Sequence, residues 1–286
     1  MRNKILVTGA GGQLGTELKD ASAFFPEYEF IFLSRKELAI ENEDEVDAYF
    51  KHHEPLFCIN CAAYTAVDKA EADYETAYLI NGAAVGILAA ASEKYGSKLI
   101  HVSTDYVFNG ISVNPYREDD PVDPVNLYGA SKLKGEQLAM DNSNGNTVII
   151  RTSWVYSIYG NNFVKTMTRL MKERESIKVV NDQFGSPTYA ADLAAVIMAI
   201  IRSGKWEPGI YHFSNEGVIT WYEFASAIKE LTGSACHVLP VPSTEYPTPA
   251  KRPGYSVMDK EKIKATYSVA LNEWKQSLDA CIRALH

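Results

Sequence analysis

The feature that most narrows the fold is a glycine loop near the start of the chain. Thr8-Gly9-Ala10-Gly11-Gly12-Gln13-Leu14-Gly15 follows a short apolar run, Ile5-Leu6-Val7, and opens a helical pattern that extends toward Phe24. Glycine lets the backbone turn sharply and approach a pyrophosphate closely. A helix beginning there offers free N–H groups and its positive dipole end to phosphate oxygens. A glycine motif alone is weak evidence. A strand before it and a helix after it supply the context a dinucleotide site needs, against the alternative of a turn that holds no ligand.

The rest of the N-terminal half repeats this alternation. Residues 30–33, 56–60, 99–103 and 148–152 read as short buried strands. Helical patterns fall at 43–51, at 77–91, where Ala77, Ile80, Ala84, Leu88 and Ala91 recur at helical spacing, and at 128–140. Alternating strands and helices predict βαβ units, right-handed crossovers and a parallel sheet. Beyond Thr152 the pattern loosens into Gly-, Asn- and Pro-rich segments at 160–162, 182–187 and 240–253, with helices predicted at 220–231 and 271–285.

The formal net charge of −8 argues against a general nucleic-acid binder, which would usually be basic. No run of 18 apolar residues occurs, so no membrane span is expected, and the apolar run at the start is too short for a signal peptide. The expected compartment is the cytoplasm. Cys58 and Cys61 form a C-x-x-C in an apolar run, but no second Cys/His pair lies nearby, so they read as small buried residues rather than a metal site. No metal is expected.

The end of the second strand bears on the cofactor. An acid about 20 residues after the glycine loop would bind the ribose hydroxyls of NAD. Here the chain has Ser34-Arg35-Lys36, with no acid before Glu37. A guanidinium suits a 2′-phosphate by bidentate pairing. NADPH is therefore the favoured cofactor, with NADH as the alternative if Arg35 is a solvated surface charge.

Tyr128-Gly129-Ala130-Ser131-Lys132 is Y-x-x-x-K, which puts both side chains on one helix face. A nearby ammonium favours the phenolate of a tyrosine whose free pKa is about 10, so the phenol can exchange a proton with an alcohol or carbonyl oxygen. The fourth strand ends in Ser103-Thr104-Asp105, hydroxyls at the carboxyl edge of the sheet, where ligands bind in such folds. Ser103 or Thr104 would hydrogen-bond the reacting oxygen, unless both simply close a strand-end turn. Lys132 would also hold the nicotinamide ribose.

The spacing of Gly9, Gly12 and Gly15 resembles extended short-chain dehydrogenases/reductases. Longer runs resemble the dTDP-4-dehydrorhamnose reductases. These are residues 60–71 (NCAAYTAVDKAE), 103–108 (STDYVF), 128–132, 151–156 (RTSWVY), 160–163 (GNNF), 181–188 (NDQFGSPT) and 246–253 (YPTPAKRP). The resemblance runs from Ile5 to at least Trp274 and implies reduction of a dTDP-4-dehydro-6-deoxy sugar to dTDP-L-rhamnose by hydride from NAD(P)H. It implies Tyr128 as proton donor, Lys132 as its partner and Thr104 as tuning the proton transfer. Thr104, Asp105 and Trp154 would contact the substrate, with Asn161 and Arg252 near its phosphates. Trp154 could equally pack the lobe, and Arg252 could be a plain surface residue. On the cofactor it implies Gly9, Gly12, Gln13, Leu14 and Gly15 at the phosphates, Ala62, Ala63 and Tyr64 near a ribose, and contacts from Val102 and Ser103. Ala39 and Ile40 stand where family members often have an acid, leaving backbone or van der Waals contact. Some members bind magnesium through glutamates at a dimer contact; Glu17 fits one such position, but Ala191 occupies another.

The resulting expectation is an α/β chain with a Rossmann-type doubly wound parallel sheet and a smaller C-terminal substrate-binding lobe. Residues 1–153 would form the NADP-binding domain, with parts of 177–215 returning to it, and 154–286 mainly the substrate lobe. The expected partner is a dTDP-sugar, with no nucleic acid and no membrane; oligomeric state stays open, a homodimer among the options. Two other readings stand beside this one. One is a different nucleotide-sugar reductase or epimerase. The other is a non-catalytic, NADP-binding regulatory subunit, which the intact Tyr128, Lys132 and Thr104 argue against.

Overall fold

The computed structural model describes residues 3–285, so Met1, Arg2 and His286 lie outside it. In the first half, β1 (Asn3–Thr8), α1 (Gln13–Ser22), β2 (Tyr28–Leu33), α2 (Glu43–His53) and β3 (Phe57–Asn60) come first. Then follow α3 (Val67–Ala70), α4 (Tyr74–Tyr78), α5 (Ala84–Lys94), β4 (Lys98–Thr104), α6 (Leu127–Asn142) and β5 (Thr147–Thr152). The second half holds β6 (Val155–Tyr156), α7 (Phe163–Glu173), β7 (Ser176–Val180), β8 (Phe184–Gly185), β9 (Thr188–Tyr189) and α8 (Ala190–Arg202). It ends with β10 (Gly209–His212), β11 (Ile219–Thr220), α9 (Trp221–Thr232), β12 (His237–Val241), α10 (Glu261–Tyr267) and α11 (Trp274–Leu285).

The central sheet has six strands in the order β10-β5-β4-β3-β1-β2, and each neighbouring pair runs parallel. Its strands are apolar on both sides because helices cover both faces. On one face, Ile5, Val7, Ile59 and Ile150 pack with Leu14 and Leu18 of α1, Leu193 and Ile197 of α8, and Ile263 of α10. On the other, Leu6, Cys58, Leu99 and Ile149 pack with Val46 and Phe50 of α2, Leu88 of α5 and Ala139 of α6. The doubly wound sheet is as expected. Strand order reverses between β1 and β3, so a crevice opens there at the carboxyl ends, the usual ligand site of such sheets.

The helical pattern predicted over 77–91 is interrupted. Residues Leu79–Ala83 form a π-helical turn between α4 and α5. Cys61, read as a small buried residue, lies just past the end of β3 at Asn60 and is only partly buried.

The second half builds its own apolar cluster from Tyr156, Val164 and Met167 of α7, Ile177 and Val179 of β7, Phe224 and Ile228 of α9, and Leu278 and Ile282 of α11. Of residues 177–215, α8 and β10 join the sheet's core, whereas β7 pairs with β12 in the second cluster. Among the described residues, no helix is long and apolar enough to cross a membrane.

Candidate active site

Two adjoining clefts open along the carboxyl edge of the sheet. The first, about 350 Å³, is walled by the glycine loop, the turn after β2 and the segment after β3. Gly12 caps α1 without a side-chain hydrogen bond, so the first helical N–H groups have no side-chain partner there. Gly9 has φ +67°, and a Cβ on it would lie 2.5 Å from the backbone N of Ala62, so only glycine lets the loop meet the segment after β3. A Cβ on Gly15 would lie 2.5 Å from Gly9 O, so Gly15 seats α1 beneath the loop.

Gly9, Gly12, Arg35, Ile40, Ala62, Ala63 and Tyr64 line this first cleft. The turn that carries Arg35 is held by Glu37, whose Oε2 accepts from Ser34 N and Ser34 Oγ, each at 2.8 Å. Arg35 itself donates to Glu41 Oε1 from Nε and Nη2, at 3.1 and 2.6 Å. The sequence reading had not paired these two residues.

The segment after β3 is clamped from the π-helical turn. Asn81 Oδ1 accepts from Tyr64 N at 2.8 Å, and Asn81 Nδ2 donates to Tyr64 O and to Ser131 Oγ, both at 3.0 Å. One buried amide thus ties the first cleft's wall to α6. No sequence motif had marked Asn81, although π-turns often occur at functional sites.

The second cleft, about 610 Å³, shares Gly12, Cys61 and Ala63 with the first. Gln13 and Leu14 of the glycine loop, Val102, Ser103, Thr104 and Asp105 at the end of β4, and Tyr128 and Lys132 of α6 all line it. Trp154, Asn161 and Trp221 come from the second half of the chain. Residues far apart in sequence, loop to strand to helix to lobe, therefore converge on one space. Gly15, Ala39 and Arg252 line neither cleft. Ala39 lies in the turn ahead of α2, where its carbonyl accepts from Asn42 N.

α6 starts where Asn126 Oδ1 accepts from Gly129 N at 2.7 Å. A Cβ on Gly129 would lie 2.2 Å from Tyr106 O, so this glycine lets α6 dock against the end of β4 and places Tyr128 and Lys132 there. Burial pushes the Tyr128 phenol up to about 12, with a hydrogen bond from Thr104 opposing the shift. Burial lowers Lys132 to about 8, opposed by the charge of Glu136 and by Cys61. Lys132 Nζ donates to Val102 O at 2.7 Å and stands 3.5 Å from His101 Nε2. The tautomer of His101 follows from its neighbours. Asn60 Oδ1 accepts from Thr8 Oγ1 at 2.7 Å and from Ala62 N at 3.1 Å, which turns Asn60 Nδ2 toward His101 Nδ1 at 3.1 Å. His101 Nδ1 is thus the acceptor and Nε2 carries the proton. Burial, then the Lys132 charge, keeps this imidazole neutral.

Behind the cleft, Arg151 and Glu136 form an ion pair with side chains only 2% and 3% exposed, at 2.7 Å. Ser103 Oγ donates to Glu136 Oε1 at 2.6 Å. The Ser103 hydroxyl is therefore engaged away from the cleft, and Thr104 is left as the strand-end hydroxyl beside Tyr128. Thr104 Oγ1 donates to Asp105 Oδ1 at 3.0 Å. Burial raises Asp105 to about 6, against hydrogen bonds from Ser256 and Thr104.

Trp154 has φ +48°, an uncommon conformation for a bulky residue, and its ring stacks on Trp221 at 3.6 Å. The aromatic wall is thus a rigid pair. Trp221, the first residue of α9, carried no signal in the sequence beyond its helix start. Arg252 Nη2 pairs with Asp68 Oδ2 at 2.8 Å, while its Nη1 is buried with no hydrogen-bond partner among the described residues.

The family described as RmlD substrate binding domain matches residues 2–286. A dTDP-4-dehydrorhamnose reductase of Burkholderia thailandensis is 41% identical over 99% of this chain and 99% of its own length. The chain belongs to the dTDP-4-dehydrorhamnose reductase family. The spore coat polysaccharide biosynthesis protein SpsK of Bacillus subtilis is similar at 45% identity, covering 96% of this chain and 95% of that one. The crystal structure of the dTDP-4-dehydrorhamnose reductase of Bacillus anthracis in complex with NADP superposes with a TM-score of 0.95 at 41% identity, over 99% of this chain and 100% of that one. The family name extends over both clefts and the second lobe, since the match is end to end.

Proposed function

We propose that this protein reduces dTDP-4-dehydro-β-L-rhamnose to dTDP-L-rhamnose with NADPH, the last step in making that sugar nucleotide. The observation that carries the proposal is the convergence of Tyr128, Lys132 and Thr104 in the cleft that adjoins the glycine loop. The residues fit a dinucleotide: Gly9 and Gly15 let the loop pack onto the segment after β3 and onto α1, where a Cβ would collide with backbone, and α1 begins at the loop. Bound there, NADPH supplies the hydride that reduces the sugar's C4 carbonyl carbon.

The chain's own residues supply the proton and the alignment. Tyr128 keeps its hydrogen at neutral pH because burial raises its pKa, which suits an acid that must donate to the carbonyl oxygen. The Lys132 ammonium lies one helical turn away and favours the phenolate left after transfer. Val102 O holds that ammonium in place, and with the cofactor bound Lys132 would also hold the nicotinamide ribose. Thr104 stands beside the phenol and faces the sugar oxygen, and Asp105, accepting from its hydroxyl, orients it. Trp154, braced by Trp221, walls the sugar. Asn161 serves the diphosphate side, whereas Arg252 lines neither cleft and is paired with Asp68. Gly9, Gly12, Gln13 and Leu14 take the cofactor's phosphates, with Gly15 beneath them. Arg35 takes the 2′-phosphate, and Ala62, Ala63 and Tyr64 take the adenosine ribose region. Val102 and Ser103, which line the second cleft, would also contact the cofactor.

Residues 1–153, with α8 and β10 packed back onto them, form the cofactor half in this reading, and 154–286 mainly the substrate half. The two separate apolar clusters support that division. The four cysteines carry free thiols, which suits a cytoplasmic enzyme. The test mixes the protein, NADPH and the 4-keto-6-deoxy sugar nucleotide. Loss of the reduced-nicotinamide absorbance with stoichiometric dTDP-L-rhamnose is the expected result; no oxidation would refute the assignment.

A further inference from the structure

The adenosine end of the first cleft holds an acid as well as a base. Glu41 lies six residues beyond Arg35, past the turn after β2, and both line the same space as Gly9 and Ser34. Their side chains are unequally placed: Arg35 is 71% exposed and Glu41 17%. The acid is the fixed partner, and the base reaches over it from solvent. Glu41 Oε1 takes both hydrogen bonds from Arg35. Glu41 Oε2 is buried and has no hydrogen-bond partner among the described residues. That oxygen is shut off from the cleft, so the acid acts on a ligand there through its charge and through Arg35 rather than by accepting from it.

The two nicotinamide cofactors differ at this end of the molecule by one group. A ribose 2′-hydroxyl is a hydrogen-bond donor, which a carboxylate accepts; a 2′-phosphate is an anion, which a guanidinium pairs with and a carboxylate repels. The Glu41–Arg35 pair sets an acid beside the base that would take the phosphate. We propose that Glu41 sets the balance between NADPH and NADH, its charge and its grip on Arg35 opposing the 2′-phosphate of NADPH while leaving the 2′-hydroxyl of NADH unopposed. The proposal rests on the reading of Arg35 as the 2′-phosphate partner. In it, NADPH must draw the Arg35 guanidinium away from Glu41 and settle beside an acid. NADH, which lacks the phosphate, leaves the ion pair intact. Arg35 alone makes a site selective for NADPH; Arg35 leashed by Glu41 makes one that admits both cofactors.

The experiment is titration of the full-length protein with NADPH and with NADH, following nicotinamide fluorescence. Glu41→Gln keeps the shape and an acceptor for Arg35 but removes the charge. It should tighten NADPH and leave NADH little changed, so that the ratio of the two Kd values moves toward NADPH by about tenfold, the order expected for one nearby charge at a partly exposed site. Glu41→Ala should move the ratio in the same direction and guards against a local fault peculiar to the amide. An unchanged ratio in both variants, or weaker NADPH binding, would overturn the proposal, because a residue that only props Arg35 in place would cost NADPH affinity when altered. Arg35→Ala, run beside them, separates the two claims. An NADPH-selective loss upholds the Arg35 reading whatever Glu41 does, and equal losses for both cofactors remove it.

Discussion

Replacing Gly185 by alanine should damage the sugar site without touching the adenosine cleft. A Cβ on Gly185 would lie 2.6 Å from Trp154 Cε2 and 2.7 Å from Cζ2, where ordinary contact begins at 3.4 Å. The indole must therefore move by about 0.8 Å, the difference between 3.4 and 2.6 Å. Trp221 is stacked on it at 3.6 Å, and the Trp154 backbone already sits at φ +48°, so little retreat is open and the shift is passed to the cleft wall. A misplacement of about 1 Å at a reacting site costs on the order of 100-fold, and overpacking costs about 1–3 kcal/mol of stability. The expected result is a kcat/KM for the sugar nucleotide lowered by about 10- to 100-fold, with NADPH affinity changed by less than about twofold. Steady-state NADPH oxidation, a fluorescence titration of NADPH and a urea melt measure the three quantities. A folded Gly185→Ala protein with wild-type kcat/KM, or one that loses NADPH affinity in parallel, would refute the reasoning.

Three other outcomes follow from the site. Tyr128→Phe should lower kcat by roughly 10²- to 10⁴-fold with NADPH affinity little changed, and unchanged turnover would remove the phenol from the reaction. Burial lowers Lys132 to about 8, so its ammonium is lost as pH rises through that value in the folded enzyme, and kcat/KM should fall on an alkaline limb centred there. Unfolded lysine titrates near about 10.4, so between the two values the unfolded chain binds more protons and this group's contribution to stability rises with pH; a flat kcat/KM profile to about pH 9.5 would contradict the role given to the ammonium. Glu136→Gln strands the buried Arg151 charge and should cost about 3–5 kcal/mol in chemical denaturation, and a loss below about 1 kcal/mol would mean the pair is better solvated than its geometry implies.

The sheet was legible because its strands are short apolar runs and its first turn is made of glycines whose job is local. Gly9 answers to a positive φ and a close backbone approach, both properties of the residue itself. Tyr128 and Lys132 were legible for a similar reason, since a spacing of four on a helix fixes their common face. The second half was harder. α8 is so widely buried that Leu193, Val196, Ile197, Ile200 and Ile201 leave little polar stripe to set a period. α7 was passed over behind the Gly160–Asn162 loop, although Asn162 caps it through Lys165 N. The residues missed in the site share a different property. Glu41 beside Arg35, Trp221 behind Trp154, and Asn81 between Tyr64 and Ser131 have meaning only through partners that folding brings together. Ser103 shows the converse: its place at the strand end was read correctly, but the direction of its hydroxyl is set by Glu136, 33 positions away.

The central claim is a net reduction at the sugar carbonyl, and isotope transfer tests it most directly. NADPH deuterated at the transferable C4 position is incubated with the protein and the 4-keto-6-deoxy sugar nucleotide, and the product is read by NMR and mass spectrometry. The account predicts one deuterium at C4 of a dTDP-L-rhamnose formed in step with NADPH oxidation, lost together with turnover in Tyr128→Phe. A sugar product without deuterium, or no product while NADPH stays bound and reduced, would contradict it.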